Sequence, residues 1–245
     1  GRLTLQTHTI DEVMHLSDDE LPRYLIYRFR YETYPQTHTL DDFPPLIQIE
    51  PTSICNYRCI FCYQVDPALS KKASGHMGNM SIDLFKSVID QAQENVEAVT
   101  LASRGEPLLC RHIEQMLDYC GGKFLGLKVN TNASHLTEAK CHAILRAGVN
   151  TLVISADAAS EPLYSQLRVN GNLDRIIKNV RRFADIRAKN YPHSRTILRV
   201  SGVHVSERQN LDEMESVWKG IADQVSFTRY MPWEKTYVLP ENDIQ

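Results

Sequence analysis

The chain has 245 residues, 42% of them hydrophobic and 23% charged, with a formal net charge of −3. That length suits one large domain or two small ones, and the composition is that of an ordinary globular protein with a sizeable core. The near-neutral charge gives no reason to expect nucleic acid as a partner. No run approaches the ~18 apolar residues of a membrane span, and no basic-then-apolar signal opens the chain, so no membrane partner is expected and a reducing cytoplasm is the expected compartment.

Residues 1–45 carry eight acidic residues against four arginines. Ser17-Asp18-Asp19-Glu20 reads as a cap with an acidic first turn, opening a helix through Tyr24, Ile26 and Phe29. Pro35, Pro44 and Pro45 are expected to break it. This stretch reads as an N-terminal helical extension. From residue 46 to 232 strands and helices alternate. Strands are expected over 46–50, 98–102, 124–130, 151–155, 196–205 and 225–230. Ser81 and Thr137 cap helices, the second ending at the Gly148 stop, and further helices are expected over 113–119, 172–189 and 211–219. Six β/α units of nearly all-apolar strands imply a parallel sheet covered on both faces, in an α/β fold. No G-x-G-x-x-G opens a helix after the first strand, which leads instead into a cysteine loop. Residues 233–245 read as a tail or the start of a further segment.

Six cysteines are too sparse for a disulfide scaffold in a chain of this length. Cys55, Cys59 and Cys62 fall together in Cys55-Asn56-Tyr57-Arg58-Cys59-Ile60-Phe61-Cys62-Tyr63. Thiolates are soft ligands that suit iron–sulfur clusters, zinc or copper(I). A [4Fe–4S] cluster takes four such ligands, so three leave one iron open for a substrate or cofactor. Structural zinc needs a fourth ligand, which His76 would have to supply.

Cysteines spaced C-x3-C-x-aromatic-C after a first strand, with Phe61 at the aromatic position, resemble the signature of the radical S-adenosylmethionine (radical SAM) superfamily. Other features follow in the order that family uses. Ser103-Arg104-Gly105-Glu106-Pro107 is similar to its Gly-Gly-Glu-Pro motif, with Arg104 in place of the first glycine. Asn130-Thr131-Asn132 follows the third strand, Ser155-Ala156-Asp157 the fourth, Arg168 lies on the helix after it, and Ser201 is on the fifth strand. Each motif sits at or near the C-terminal end of its strand, where β/α barrels place active sites.

The resemblance covers roughly residues 46–230 and implies a partial (β/α)6 TIM-like barrel. It implies that Cys55, Cys59 and Cys62 hold a [4Fe–4S] cluster. It further implies that Phe61, Tyr63, Gly105, Glu106, Pro107, Asn132, Ser155, Arg168 and Ser201 bind S-adenosylmethionine. Glu106 and the turn carbonyls would accept the methionine ammonium, Asn132 would lie near the ribose, and Ser155 and Arg168 near the carboxylate. The implied activity is reductive cleavage of S-adenosylmethionine to a 5′-deoxyadenosyl radical. That radical abstracts hydrogen from a small molecule, sugar or peptide, with a one-electron reductant such as flavodoxin or ferredoxin as partner. The details from Thr137 onward look most like the SPASM/twitch subgroup, whose auxiliary clusters need more cysteines than this chain shows after Cys141. With Gly1 at its start and no final element to bury, the chain is expected to continue in the natural protein.

Cys110, Cys120 and Cys141 read as buried thiols, with Cys110, near Gly105, also a hydrogen-donor candidate. Tyr230, Trp233 and Glu234 are candidates for the substrate mouth, Tyr230 and Glu234 for a catalytic role. His204 reads as a core group. The basic stretch 168–199 reads as a solvated amphipathic helix. A zinc-binding structural domain and a partner-binding barrel without turnover are the alternative functions.

Overall fold

The computed structural model describes residues 7–230, so Trp233 and Glu234 lie outside the described residues. Two helices come first, α1 (Thr7–Met14) and α2 (Glu20–Thr37). Nothing local in the sequence announces α1. The start of α2 behaves as the acidic cap suggests: Glu20 accepts from the Ser17 N–H at 2.8 Å and from its hydroxyl at 3.1 Å. The expected break at Pro35 does not occur, because α2 runs through it. Pro35 lies in the last turn, where a missing N–H removes one intrahelical bond and no further turn depends on it. The helix then stops at His38, whose left-handed backbone (φ 51°) ends it.

The alternating units follow. They are β1 (Leu46–Ile49), β2 (Arg58–Cys59), α3 (Pro67–Ser70), α4 (Ile82–Ala92), β3 (Ala98–Leu101), α5 (Ile113–Cys120), β4 (Gly126–Thr131) and α6 (Glu138–Arg146). Then come β5 (Thr151–Ser155), α7 (Glu161–Leu167), β6 (Arg168–Val169), α8 (Leu173–Asn190), β7 (Ile197–His204), α9 (Leu211–Trp218) and β8 (Gln224–Arg229). The main sheet has six parallel strands in the order β1-β3-β4-β5-β7-β8. Strands adjacent in the sheet are successive in the chain, with helices between them, which is the order of a barrel wall rather than of a doubly wound sheet.

The strand faces divide the labour. On β4, Leu127, Val129 and Thr131 are buried while Lys128 and Asn130 are only partly so. Leu127 and Val129 join Val99, Leu101, Leu152, Ile154, Leu198 and Val200 in a core with Phe85, Ile89, Met116, Ile144, Phe183 and Trp218 from the helices. The opposite face carries Gln48, Thr100, Lys128, Asn130, Arg199 and Ser201 in alternation along the strands. Gln48 on β1, Asn130 on β4, Ser155 on β5 and Val203 on β7 border one cavity, so the sheet curves around this polar face as a partial barrel.

The caps hold where the sequence put them. Ser81 Oγ accepts from the Leu84 N–H, Thr137 Oγ1 from the Lys140 N–H, and Gly148 takes a left-handed backbone with φ 65°. The basic stretch falls mostly on α8, whose Ile176, Val180 and Phe183 are buried and whose Arg175, Lys178 and Arg181 are exposed. Two of its arginines differ. Arg199 is buried on β7, and Arg168 sits not on a helix but in β6, which pairs antiparallel with β2. The pairing is long-range, which is why local pattern missed it. Among the described residues no helix is long and apolar enough to cross a membrane.

Candidate active site

The cysteine loop leaves β1 and is pinned before it begins. Thr52 Oγ1 donates to the Gly78 carbonyl at 2.9 Å, and Ser53 Oγ donates to the His76 carbonyl at 2.8 Å. His76 is therefore tied by its backbone, and its side chain is not part of the cavity wall. Cys59 is buried in β2, while Cys55 and Cys62 are half-buried. The Cys62 N–H donates to the Cys59 carbonyl at 2.9 Å, and the Tyr57 N–H donates to Cys55 Sγ at 3.4 Å. Burial raises the pKa of all three thiols, that of Cys59 to about 11. Thiols so placed keep their protons at neutral pH unless a metal displaces them, and a soft metal centre is what three converging sulfurs accept.

Among the described residues no three His, Cys, Asp or Glu side chains gather tightly enough to close around a single ion. Cys55, Cys59 and Cys62 instead face one cavity from separate points of their loop. Three thiolates can each take one iron of a cluster and leave the fourth open, whereas tetrahedral zinc needs a fourth ligand.

The turn after β3 is locked to the same loop. A Cβ on Gly105 would lie 1.9 Å from the Thr52 carbonyl oxygen, so only glycine lets these backbones meet. The Glu106 N–H donates to the Ile54 carbonyl at 2.9 Å. Gln64, buried beyond the third cysteine, donates to the Ser53 carbonyl at 2.8 Å and to the Arg104 carbonyl at 2.9 Å. Arg104 fits where the family motif has glycine because its side chain turns to the rim. There its Nε and Nη2 reach Glu50 Oε2 at 3.2 and 3.0 Å, while its N–H donates to Glu50 Oε1 at 2.8 Å.

Glu106 is 3% exposed. Its Oε1 accepts from the Leu108 N–H at 3.0 Å and from Thr131 Oγ1 at 2.5 Å, and its Oε2 accepts from the Asn132 N–H at 2.7 Å. Burial raises its pKa above the ordinary carboxylate value, against the pull of those donors. A carboxylate has about four acceptor sites, so three donors leave capacity toward the cavity. Asn132 donates from Nδ2 to Asn56 Oδ1 at 3.0 Å, which ties the end of β4 to the cysteine loop. Pro107 is buried at the start of a 3-10 turn.

Arg168 stands opposite Cys59 in the β2–β6 ribbon. It forms an ion pair with the fully buried Asp157, its Nη1 lies 3.7 Å from Cys59 Sγ, and its guanidinium lies 5.6 Å from the Phe61 ring centre. Burial works against this charge, and Asp157 followed by Cys59 more than offsets it, so the pKa is raised.

These elements enclose a cavity of about 800 Å³, within the usual range for a small-molecule or cofactor site. Cys55, Cys59, Phe61, Cys62, Tyr63, Gly105, Glu106, Asn132, Ser155 and Arg168 all border it. Ser201 lies beside Ser155 in the sheet register. Tyr230 and Phe61 border a separate groove with Leu163 and Val205. Cys110 is 2% exposed and packs against Met116 Sδ at 4.0 Å, away from the cavity, and Cys120 and Cys141 are buried in the helices. His204 is half-buried.

In the Asn130-Thr131-Asn132 motif sequence reasoning singled out Asn132, while Asn130 also borders the cavity and its buried Oδ1 has no hydrogen-bond partner among the described residues. Sequence reasoning passed over Asn56, Gln64 and Glu50. Only Glu50 carried a signal, as a charged residue closing an apolar strand.

A model of the Radical SAM superfamily matches residues 49–215. The GTP 3′,8-cyclase of Clostridium botulinum is 24% identical over 76% of this chain and 56% of its own length. The mycofactocin maturase MftC of Mycobacterium tuberculosis is 23% identical over 58% of this chain and 35% of its own length. The chain thus spans less than two thirds of the length of these curated relatives. The crystal structure of Streptococcus suis SuiB bound to S-adenosylmethionine superposes with a TM-score of 0.65 at 19% identity, covering 88% of this chain and 47% of that one. The same enzyme bound to its precursor peptide SuiA gives 0.65 at 18% identity, over 91% and 50%.

Proposed function

The chain belongs to the radical SAM superfamily, and from that premise we propose that it is an enzyme holding a [4Fe–4S] cluster on Cys55, Cys59 and Cys62 and S-adenosylmethionine beside it. The observation that carries this reading is the convergence of the three cysteines and the Glu106 turn on one cavity. When bound, the cluster would supply the electron for reductive cleavage of S-adenosylmethionine to methionine and a 5′-deoxyadenosyl radical, and that radical would take hydrogen from a small-molecule, sugar or peptide substrate.

The residues divide the binding between them. Glu106 is fixed by Thr131, Asn132 and Leu108, with acceptor capacity left for an ammonium. The Gly105 turn packs against the Thr52 and Ile54 carbonyls that lead into the cysteine loop, which sets the cofactor turn beside the cluster loop. Asn132 would face the ribose and Ser155, with Ser201 beside it in the sheet, the carboxylate, while Phe61 and Tyr63 would form the wall that excludes water. Of the described residues, 46–230 would form the catalytic barrel, with 7–45 as an extension against its other end. An external one-electron donor such as flavodoxin or ferredoxin, in a reducing compartment, completes the requirement. SuiB was solved with a peptide and the clostridial relative is named for a nucleotide, so both substrate classes stay within reach of this fold.

Anaerobic reconstitution with iron and sulfide tests the reading. The expected product is a chain with four irons and broad iron–sulfur absorbance that releases 5′-deoxyadenosine on reduction with S-adenosylmethionine. Cys59→Ala should lose the cluster and keep the far-ultraviolet dichroism of the fold. One tightly bound zinc with no iron–sulfur absorbance would overturn the assignment.

A further inference from the structure

We propose that Arg168 tunes the reduction potential of the cluster through Cys59, as a hydrogen-bond donor to the ligand sulfur, held there by the β2–β6 ribbon and opposed in charge by Asp157. The proposal rests on the cluster assignment above and deepens it. The family resemblance sends this arginine to the cofactor's carboxylate, but two of its nitrogens face Asp157 and Cys59. Its Nε side pairs with Asp157, which is itself fixed by the Val203 N–H at 2.7 Å from Oδ1. Its Nη1 lies 3.7 Å from Cys59 Sγ. The backbone keeps the pair together: Cys59 and Arg168 are register partners in the β2–β6 ribbon, and the Ile60 N–H donates to the Leu167 carbonyl at 3.0 Å. Gly171 preserves this packing, since a Cβ there would lie 2.7 Å from the Arg168 carbonyl oxygen and 2.8 Å from the Tyr164 ring. The ribbon is two residues long on each side, and one of its two register pairs is Cys59 with Arg168.

Hydrogen bonds and charge at cluster sulfurs set the potential of iron–sulfur centres. Reduction adds negative charge, part of it on the sulfurs. A cationic donor at Cys59 therefore favours the reduced cluster and raises the potential. The Asp157 carboxylate opposes it and limits the effect. Arginine and aspartate thus act with opposite signs on the same couple, and a purely structural pair would not.

The experiment is EPR-monitored potentiometry of the reconstituted, S-adenosylmethionine-free chain. Arg168→Gln should lower the reduced-to-oxidised ratio at a fixed potential by at least tenfold, a shift of about 59 mV for one electron. Asp157→Asn should shift the ratio the other way. Either change breaks a buried pair and can cost folding. Arg168→Lys, which keeps the charge that Asp157 needs, is therefore the fallback, with a smaller shift of the same sign as Arg168→Gln. Shifts of equal sign in Arg168→Gln and Asp157→Asn, or an unmoved potential in Arg168→Lys, would overturn the proposal. So would an unmoved potential in Arg168→Gln with weakened S-adenosylmethionine binding, which would return the arginine to the carboxylate. Iron and sulfide content of the unmutated chain keeps the two readings apart. A chain without a four-iron cluster fails the function, whereas a full cluster with an unmoved potential fails only this inference.

Discussion

The two ends of the barrel are built from the same strands and differ in what their polar groups face. At the N-terminal end, α1 and α2 lie across the strand starts. There Glu12 pairs with Arg199 at 3.1 Å, Glu97 with Arg23 at 2.6 Å and Glu20 with Arg195 at 2.8 Å. Tyr24 and Tyr27 pack against Ala98 and Leu125, and the space left is about 120 Å³. At the C-terminal end about 800 Å³ stays open. There Glu106 keeps acceptor capacity after three bonds, and Asn130 Oδ1 has no partner among the described residues. The bottom also keeps buried atoms without partners, Thr9 Oγ1 and Arg28 Nε among them, so what sets the top apart is the open cavity its polar groups border. The contrast matches the general division of β/α barrels into a stabilising bottom and a reactive top.

The sharpest way to test the contrast is to damage the top without touching the bottom. Gly105→Ala puts a Cβ 1.9 Å from the Thr52 carbonyl oxygen and 2.6 Å from its carbon, both backbone atoms that have no rotamer to escape by. The turn must move, and a displacement of about 1 Å can cost about 100-fold at a preorganised site. S-adenosylmethionine affinity measured by calorimetry should fall by about that factor, or about 2.7 kcal/mol. Cluster content should persist, since the cysteines lie on the other partner of the contact. Unchanged affinity would mean that the turn is not the cofactor's seat.

How much of this contrast the sequence showed depends on the range of each signal. The cysteine spacing, the Glu106 turn and the caps at Ser81 and Thr137 are local, and they were legible. The six strands were legible because a sheet covered on both faces needs apolar runs. Arg168 was found as a residue but placed on a helix, because its strand exists only through a partner 109 residues away. Pro35 was read as a break because propensity weighs a proline the same wherever it stands, while its cost depends on how many turns remain after it. Helix α1 has eight residues, too few to persist alone, and it is held by Glu12 reaching Arg199 and Tyr24. The bottom of the barrel was thus the less legible end, because long-range pairs make it.

The bottom can be damaged in turn. Tyr24 donates from its hydroxyl to Glu12 Oε2 at 2.5 Å, while Glu12 Oε1 accepts from Arg199. Tyr24→Phe keeps the ring and leaves that carboxylate one donor short. A hydrogen bond to a charged group contributes about 1.5–3 kcal/mol, so unfolding in urea should show a loss near 1.5 kcal/mol, the lower value because Glu12 keeps its arginine. Cofactor affinity should stay within about twofold. A larger effect on cofactor binding than on stability would mean that the two ends are coupled, and the division of labour would not hold.

The smallest effect separates the ends by pH. Arg195 first, then the Ser17 N–H, hold Glu20 well below the ordinary carboxylate value of 4.5, at about 2. The folded state therefore binds this proton less readily than the unfolded state. The stabilisation is complete above pH 4.5 and is lost as the pH falls toward 2. The pair lies at the surface, where solvent screening keeps its worth below about 1 kcal/mol. The stability gap between the unmutated chain and Glu20→Gln, read from paired urea curves, should hold constant down to about pH 4.5, narrow as the pH falls from there toward 2, and shrink in high salt. A gap that does not change with pH would assign Glu20 to the Ser17 cap by shape alone. Glu106 should give the opposite sign at the other end. Burial raises its carboxyl, so it opposes folding where it must ionise, and protonation relieves that cost. One acidic residue at each end, shifted in opposite directions, states the difference between a carboxylate placed for stability and one placed for binding.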